Sequence, residues 1–350
     1  MPERVIREGT HPFRPRPRLS PLLRRPAVLL AAAILLALCI LASLFVGSSR
    51  IPADQVAHYL LHPDASNVSY NINVLRVERT IIGVLVGAAL AVSGAVMQAV
   101  TRNPLAEPGL LGVNAGASLG IVLGTAALGV LPVPGQLLLA AVGALVATAL
   151  VQVIGMIRGS TSSPVRLVLI GVAFSAFAGA VIRGVVLTMP NLFRTFIDWE
   201  VGSLTRADIP LLPMTLLVAL GTGAALLLAG TLDNIALGDD VAAALGTRVG
   251  LVRGLSLAVI TLLCATATTV AGPIGFVGLM APLTASWLMG PHRGWIVALC
   301  ALGGPVVVLA ADVLGRVLAR PGEMQVGLLT AFVGSPVLLL MVLRMKDRAS

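Results

Sequence analysis

The sequence predicts an all-α polytopic membrane protein of about ten transmembrane helices, with one short helix in a loop between spans. Three observations predict it. Hydrophobic residues make up 57% of the chain and charged residues 11%, with a mean hydropathy of +0.98; no soluble domain of this size carries so few charges. The apolar runs exceed the roughly 18 residues that mark a spanning helix. The basic residues gather outside those runs, where a positive bias marks cytoplasmic ends. The bilayer is then the main solvent, and the backbone must satisfy itself within helices.

Ten spans are expected, near 26–46, 80–100, 110–131, 137–157, 166–189, 211–231, 254–272, 274–290, 295–314 and 324–343. Residues 1–25 hold seven arginines and several prolines and read as a disordered basic tail on the cytoplasmic side. The first apolar run is longer than a signal-peptide core and lacks a cleavage site, so it reads as a retained span. An even number of spans puts both termini in the cytoplasm. In that orientation sixteen basic residues lie inside and seven outside.

The segment 47–78 reads as an outer surface loop. The second span carries Gly83, Gly87 and Gly94, and prolines break the chain at Asn103-Pro-Leu-Ala-Glu-Pro-Gly109. Gly112, Gly116, Gly120 and Gly124 form one flat stripe on the third span, which lets another helix approach backbone to backbone. The run 159–164 is a polar turn, and Trp199 suits a membrane interface. Three glycines and two prolines crowd 271–282, a kind of break found where backbone lines a cavity or is shielded by protein.

The polar island 233–253 lies between two apolar runs. Gly238 breaks the chain, and Asp239 is positioned to cap a helix, with Asp240 adding favourable charge. Val241 and Leu245 share a face, the alanines including Ala242 propagate the helix, and Gly246 ends it. A helix of about two turns cannot stand alone in water, so it must pack on something. Such a helix suits a device pushed by a soluble partner; the plainer reading is a solvated connector.

Much chemistry is absent. Lys346 is the only lysine, so no phosphate-cradling loop with its lysine exists here. The histidines His11, His58, His62 and His292 are scattered. Cys39, Cys264 and Cys300 lie in separate runs and imply neither disulfide frame nor metal site. The basic surplus follows membrane topology and does not call for nucleic acid. The span centres hold no carboxylate of the kind an ion-coupled transporter uses. One ion does sit inside a span: Arg183, a pathway candidate whose other reading is snorkelling to the outer interface. An energised transporter whose engine is another polypeptide fits best, with a secondary transporter as the alternative.

Four stretches resemble the FecCD family of permease subunits of ABC importers for iron-siderophores and cobalamin: Leu85 to Gln98, Asn103-Pro-Leu-Ala-Glu-Pro-Gly-Leu-Leu-Gly-Val113, Leu237 to Gly246, and Val270-Ala-Gly-Pro-Ile-Gly-Phe-Val-Gly278. The resemblance covers about 76–340. It implies the type II ABC importer permease fold in a permease domain over 26–345. It also implies a second permease (the same chain or a sister), two cytoplasmic ATPases, and an external binding lipoprotein. ATP and Mg would be held by the ATPase and no cofactor by this chain, which would sit in the inner or plasma membrane. Leu237, Gly238, Asp239, Asp240, Ala242, Leu245 and Gly246 would form the helix that docks on the ATPase, within about 238–246. Asn103, Leu105, Ser162 and Ser163 would match the cytoplasmic gate. Arg76, Arg79 and Arg316 would match arginines that meet acidic residues of the binding protein; Arg316 is also spaced to pair with Asp312. The chain departs from the family at Leu283 and Ser286, where His and Arg are frequent, and at Gln325 in a Glu-Leu-Pro position.

Overall fold

The computed structural model describes residues 21–156, 164–189, 196–197, 199–205 and 209–349, and every regular element among them is helical. In chain order these are α1 (Pro21–Phe45), α2 (Ala53–Leu61), α3 (Asn67–Tyr70), a π-helical stretch (Asn71–Arg76), α4 (Val77–Thr101), a 3₁₀ turn (Pro108–Leu111), α5 (Val113–Leu128), α6 (Val133–Met156) and α7 (Pro164–Thr188). There follow α8 (Leu211–Ala236), α9 (Asp239–Ala244), α10 (Val249–Ala271), α11 (Val277–Met289), α12 (Arg293–Leu318) and α13 (Val326–Ala349). Among the described residues seven helices are long and apolar enough to cross a membrane, and three shorter apolar helices correspond to the third, eighth and tenth expected spans. The chain is a multi-pass membrane protein.

Two expectations about the ends of spans change. The segment 47–78 is not a loop: it holds α2 and α3, and α3 runs through the π-helical stretch into α4, giving a continuous helix over Asn67–Thr101. Helix α1 begins at Pro21, five residues before the expected start, and carries Pro26 inside.

Helix α4 is the central rod, packed by α12, α10, α11 and α8. Its glycines make that possible. A Cβ on Gly87 would lie 2.6 Å from the Pro305 backbone, and one on Gly94 1.8 Å from the Gly278 carbonyl oxygen. The α5 stripe does the same work on α6: a Cβ on Gly116 would meet the Gly143 carbonyl at 2.5 Å, and one on Gly120 the Leu139 carbonyl at 2.3 Å. In lipid, where apolar surface gains nothing by self-association, this close backbone packing supplies the attraction.

Helix α11 is short because its lead-in, 272–276, is not helical, and α5 because the 3₁₀ turn and Gly112, at φ +81°, precede it. Ala271 accepts a hydrogen bond from Ser203 N (2.7 Å), beside Leu204, which packs on Gly83. Gly278 lies against Gly94. Gly83 and Gly94 are eleven residues apart on α4, about 16 Å at 1.5 Å per residue. Residues 272–276 therefore run as non-helical chain through the helix bundle. Trp199, whose ring suits a membrane interface, is 2% exposed, with its carbonyl against Gly272.

Candidate functional site

Helix α9 sits at the turn from α8 to α10. Gly238 has φ +119° and Gly246 φ +80°, both in the region glycine tolerates best, so the two breaks read from sequence frame the element. The cap does not follow the expectation. Gly238 is the N-cap, and Asp239 is the first helical residue with no capping bond. Its carboxylate is taken by two arginines instead: Arg102 and, at 3.0 Å, Arg253. Arg102 adopts φ +51° and also donates Nε to the Ile235 carbonyl at 2.7 Å. Ala242 is fully buried, whereas Leu237, Val241 and Leu245 are 65%, 47% and 58% exposed. Val241 and Leu245, at i, i+4, are turned away from the protein, and Leu237, the C-cap of α8 before the Gly238 break, is exposed as well. Asp240 is exposed beside them. The loop closes through Thr247 N to the Ala242 carbonyl (2.9 Å) and Asn234 Nδ2 to Thr247 Oγ1 (3.0 Å).

Arg102 opens the break that follows α4. Leu105 N donates to Asn103 Oδ1 at 3.0 Å, a local turn that leaves both residues exposed at the α9 end. Past this turn the chain folds back into the bundle. Glu107 Oε1 accepts the backbone N–H of Phe276 at 3.1 Å, and Phe276, at φ +69°, is the N-cap of α11. Pro108 packs where a Cβ on Gly278 would meet it at 3.0 Å. The two broken segments thus meet, and a carboxylate satisfies one of the free amides that start α11. Ser162 and Ser163 lie outside the described residues.

At the opposite end three arginines converge. Asp312, 0% exposed, receives Arg79 Nη2 at 2.7 Å and Arg316 Nη2 at 2.6 Å. Arg79 also bonds Glu323, which accepts from Ser48 Oγ at 2.7 Å. Arg316 Nη1 reaches the carbonyls of Ser43 (2.9 Å) and Val46 (3.0 Å). Arg76 reaches those of Leu44 (2.9 Å), Phe45 (3.3 Å) and Ser49 (3.1 Å). The C-terminal carbonyls of α1, which no intrahelical amide can reach, are thereby satisfied by cations. Arg76, Arg79 and Arg316 are 4%, 9% and 1% exposed, so they do not form an exposed basic rim; they are held by carboxylates and helix-end carbonyls of their own chain. Arg76, Arg79 and Glu323 line a cavity of about 180 Å³ at this end. Glu323 lies beyond α12: burial pulls its carboxyl upward, but the hydrogen bonds from Arg79 and Ser48 outweigh this and hold it below its ordinary 4.5.

Comparison with known proteins decides the family. Residues 35–344 match the FecCD transport family. The chain belongs to the FecCD transport family. It is 43% identical over 303 residues to the ferric enterobactin transport system permease protein FepD of Escherichia coli (strain K12), covering 86% of this chain and 90% of that protein. It is 38% identical to the Fe(3+)-citrate import system permease protein YfmD of Bacillus subtilis (strain 168), over 85% of this chain and 88% of the relative. The vitamin B12 import system permease protein BtuC of Vibrio vulnificus (strain CMCP6) is 34% identical, with 83% and 89% covered. A solved metal-chelate-type ABC transporter in an inward-facing conformation superposes with a TM-score of 0.79 at 25% identity, covering 91% of this chain and 99% of that one. As a FecCD permease the chain is a transport subunit of an ABC importer, and ATP hydrolysis belongs to a partner. The ion-coupled transporter considered from sequence is set aside.

Within this FecCD chain the remaining singled-out residues are placed as follows. Arg183 is exposed on α7, and its guanidinium lies 3.5 Å from where a Cβ on Gly179 would be. It therefore leans back along α7 toward the helix start, the direction usual for a helical side chain. Leu283 is 2% exposed, and the Ser286 hydroxyl donates to its carbonyl at 2.7 Å. Gln325 Oε1 is buried without a hydrogen-bond partner. Sequence reasoning missed Arg102, Arg253 and Glu107. Glu107 lies within a motif that was noticed, but nothing local says that its loop turns back into the bundle.

Proposed function

We propose that this chain is one of a pair of permease subunits in an importer for a ferric siderophore or related metal chelate, in the inner or plasma membrane. Helix α9 and both termini face the cytoplasm. Two ATPases dock there, and a binding lipoprotein delivers cargo at the arginine end. The single observation that carries this reading is the exposed apolar pair Val241 and Leu245, with Leu237 exposed just ahead of Gly238, at a short helix tethered by Asp239 to Arg102 and Arg253. A lone apolar patch on a polar turn suits insertion into a groove of a soluble partner. The tether then gives the push a route. Asp239 moves Arg102, Arg102 heads the Asn103–Leu105 gate turn, and that loop holds α11 through Glu107 and Phe276. Ser162 and Ser163 complete the gate.

At the outer end, an acidic side chain of the binding protein would exchange with Glu323 for Arg79, the one buried arginine of the three whose carboxylate partner is partly exposed. Arginine suits such an exchange because its planar fork accepts a new carboxylate in two parallel bonds. The cargo reading rests on the relatives named for ferric enterobactin and Fe(3+)-citrate, and on Arg183, whose charge in a low-dielectric path favours an anionic chelate. Cobalamin is the second reading, supported by the B12 relative. The test is calorimetry on the cognate binding protein with ferric enterobactin, ferric citrate and cobalamin, followed by uptake of whichever binds. An iron chelate is expected to bind, and Arg183→Gln to lower its uptake while assembly is unchanged. Binding of cobalamin alone would reverse the cargo reading.

A further inference from the structure

The segment 199–205, between α7 and α8, has two unlike sides. Trp199 and Leu204 are each 2% exposed and turn into the core. Glu200 and Thr205 are exposed, and the hydroxyls of Ser203 and Thr205 bond each other at 2.7 Å on that outer side. Thr205 lines the cavity at the arginine end, beside Arg79 and Glu323. Glu200 lies deeper. Its Oε2 accepts the hydroxyl of Ser118, a buried residue of α5, at 3.0 Å. Two helices give the depth. Leu204 packs on Gly83, which is four residues, about 6 Å, inward of Arg79 along α4. Ser118 is ten residues, about 15 Å, short of Leu128, where α5 ends on the arginine side. Glu200 is therefore recessed below the arginine end, beside two apolar helices, and is still exposed. A carboxylate facing lipid at such depth is costly, and intramembrane carboxylates face a bundle interior or a water-filled cavity.

We propose that the exposed side of 199–205 is a wall of the water-filled cargo route just inward of the arginine end, and that Glu200 selects cargo there by charge. This rests on the transport reading above. The polar side of the segment leads from the cavity, at Thr205, down to Glu200. Ser118 takes one carboxylate oxygen and fixes its direction, which leaves the other oxygen for the cargo. A fixed negative charge on the route disfavours a strongly anionic chelate and favours one that presents N–H or ammonium groups. Arg183 acts in the opposite sense, so the two residues together set which net charges pass.

Accessibility tests the wall without reference to cargo. In a full-length chain without Cys39, Cys264 and Cys300, intact cells carrying Glu200→Cys, Asp54→Cys or Leu227→Cys would be treated with a charged, membrane-impermeant methanethiosulfonate. Glu200→Cys is expected to label from outside, more slowly than Asp54→Cys; Leu227→Cys, on an exposed apolar face of α8, should not label. Charge selection is read in proteoliposomes holding the permease, its ATPase and saturating binding protein, with ferric enterobactin or ferric citrate, whichever that protein accepts; both are anionic. Glu200→Gln, which keeps the side-chain size and the bond from Ser118, should raise the maximal uptake rate severalfold. Ser118→Ala, which keeps the charge, should stay near wild type. A purely structural role predicts the reverse order. No labelling of Glu200→Cys, or uptake unchanged or lowered in Glu200→Gln, would overturn the proposal. Wild type that imports neither chelate would overturn the cargo reading and the charge selection with it, while labelling would still decide the wall.

Discussion

Asp312 is fully buried between the guanidinium groups of Arg79 and Arg316, and its removal would leave two cations without their counter-ion. Breaking a buried pair in this way costs about 3–5 kcal/mol, because desolvation of the survivor is no longer offset. Asp312→Ala is therefore expected to lower the unfolding free energy by that order, read as a fall in thermal midpoint in detergent; a change within scatter would mean that water reaches the cluster. Glu323 behaves differently, with a third of its side chain exposed. Its folded pKa is depressed below 4.5, so the stability it contributes is present above that value and is lost as pH falls through the lower folded value. The melting difference between wild type and Glu323→Gln should be constant from neutral pH down to about 4.5 and shrink below it. A difference that instead grew on acidification would contradict the assigned direction. The spacing of Asp312 and Arg316 was legible as a helical pair. What the sequence could not show is that Arg76 and Arg316 turn inward, because their acceptors are the carbonyls at the end of α1, some 270 residues from Arg316.

At the scale of elements, α9 was legible in outline, because glycines bracket it and its apolar positions recur at four-residue spacing. The misread cap has a physical cause. Asp239 could serve its own helix or two distant arginines, and the charge-assisted pairs win. Helices α5 and α11 are shorter than the apolar runs that hold them, because apolar composition does not distinguish α-helix from the 3₁₀ turn ahead of α5 or the non-helical chain ahead of α11. Tertiary partners, Glu107 for Phe276 and Ser203 for Ala271, take up backbone groups at the two ends of the non-helical stretch 272–276. Gly246 holds φ +80° with nothing within 4 Å of an added Cβ, so a substitution there acts through backbone strain and not through a clash. Gly246→Ile is expected to leave insertion of the ten spans intact and to reduce transport severalfold by tilting α9 on its tether. Transport at the wild-type rate, measured at equal membrane abundance, would reduce α9 to a connector.

For the whole molecule the charge asymmetry and the apolar runs carried most of the fold, and the glycine stripes predicted close helix contacts that the packing of α5 on α6 bears out. The proposed sidedness rests on the same asymmetry. Single cysteines at Asn234 and Asp54, in a background without Cys39, Cys264 and Cys300, are expected to label from opposite faces of intact cells, with Asp54 reached from outside. Labelling of both from one face would contradict the arrangement. The central claim is that transport is driven by an ATPase acting on α9. It is tested most directly by uptake of an iron chelate into proteoliposomes holding this permease, its ATPase and its binding protein. Uptake is predicted to require ATP on the α9 side and to be abolished by Leu245→Glu, which places a charge on the outward apolar face. Uptake driven by an ion gradient with no ATPase present, or undiminished in Leu245→Glu, would contradict it.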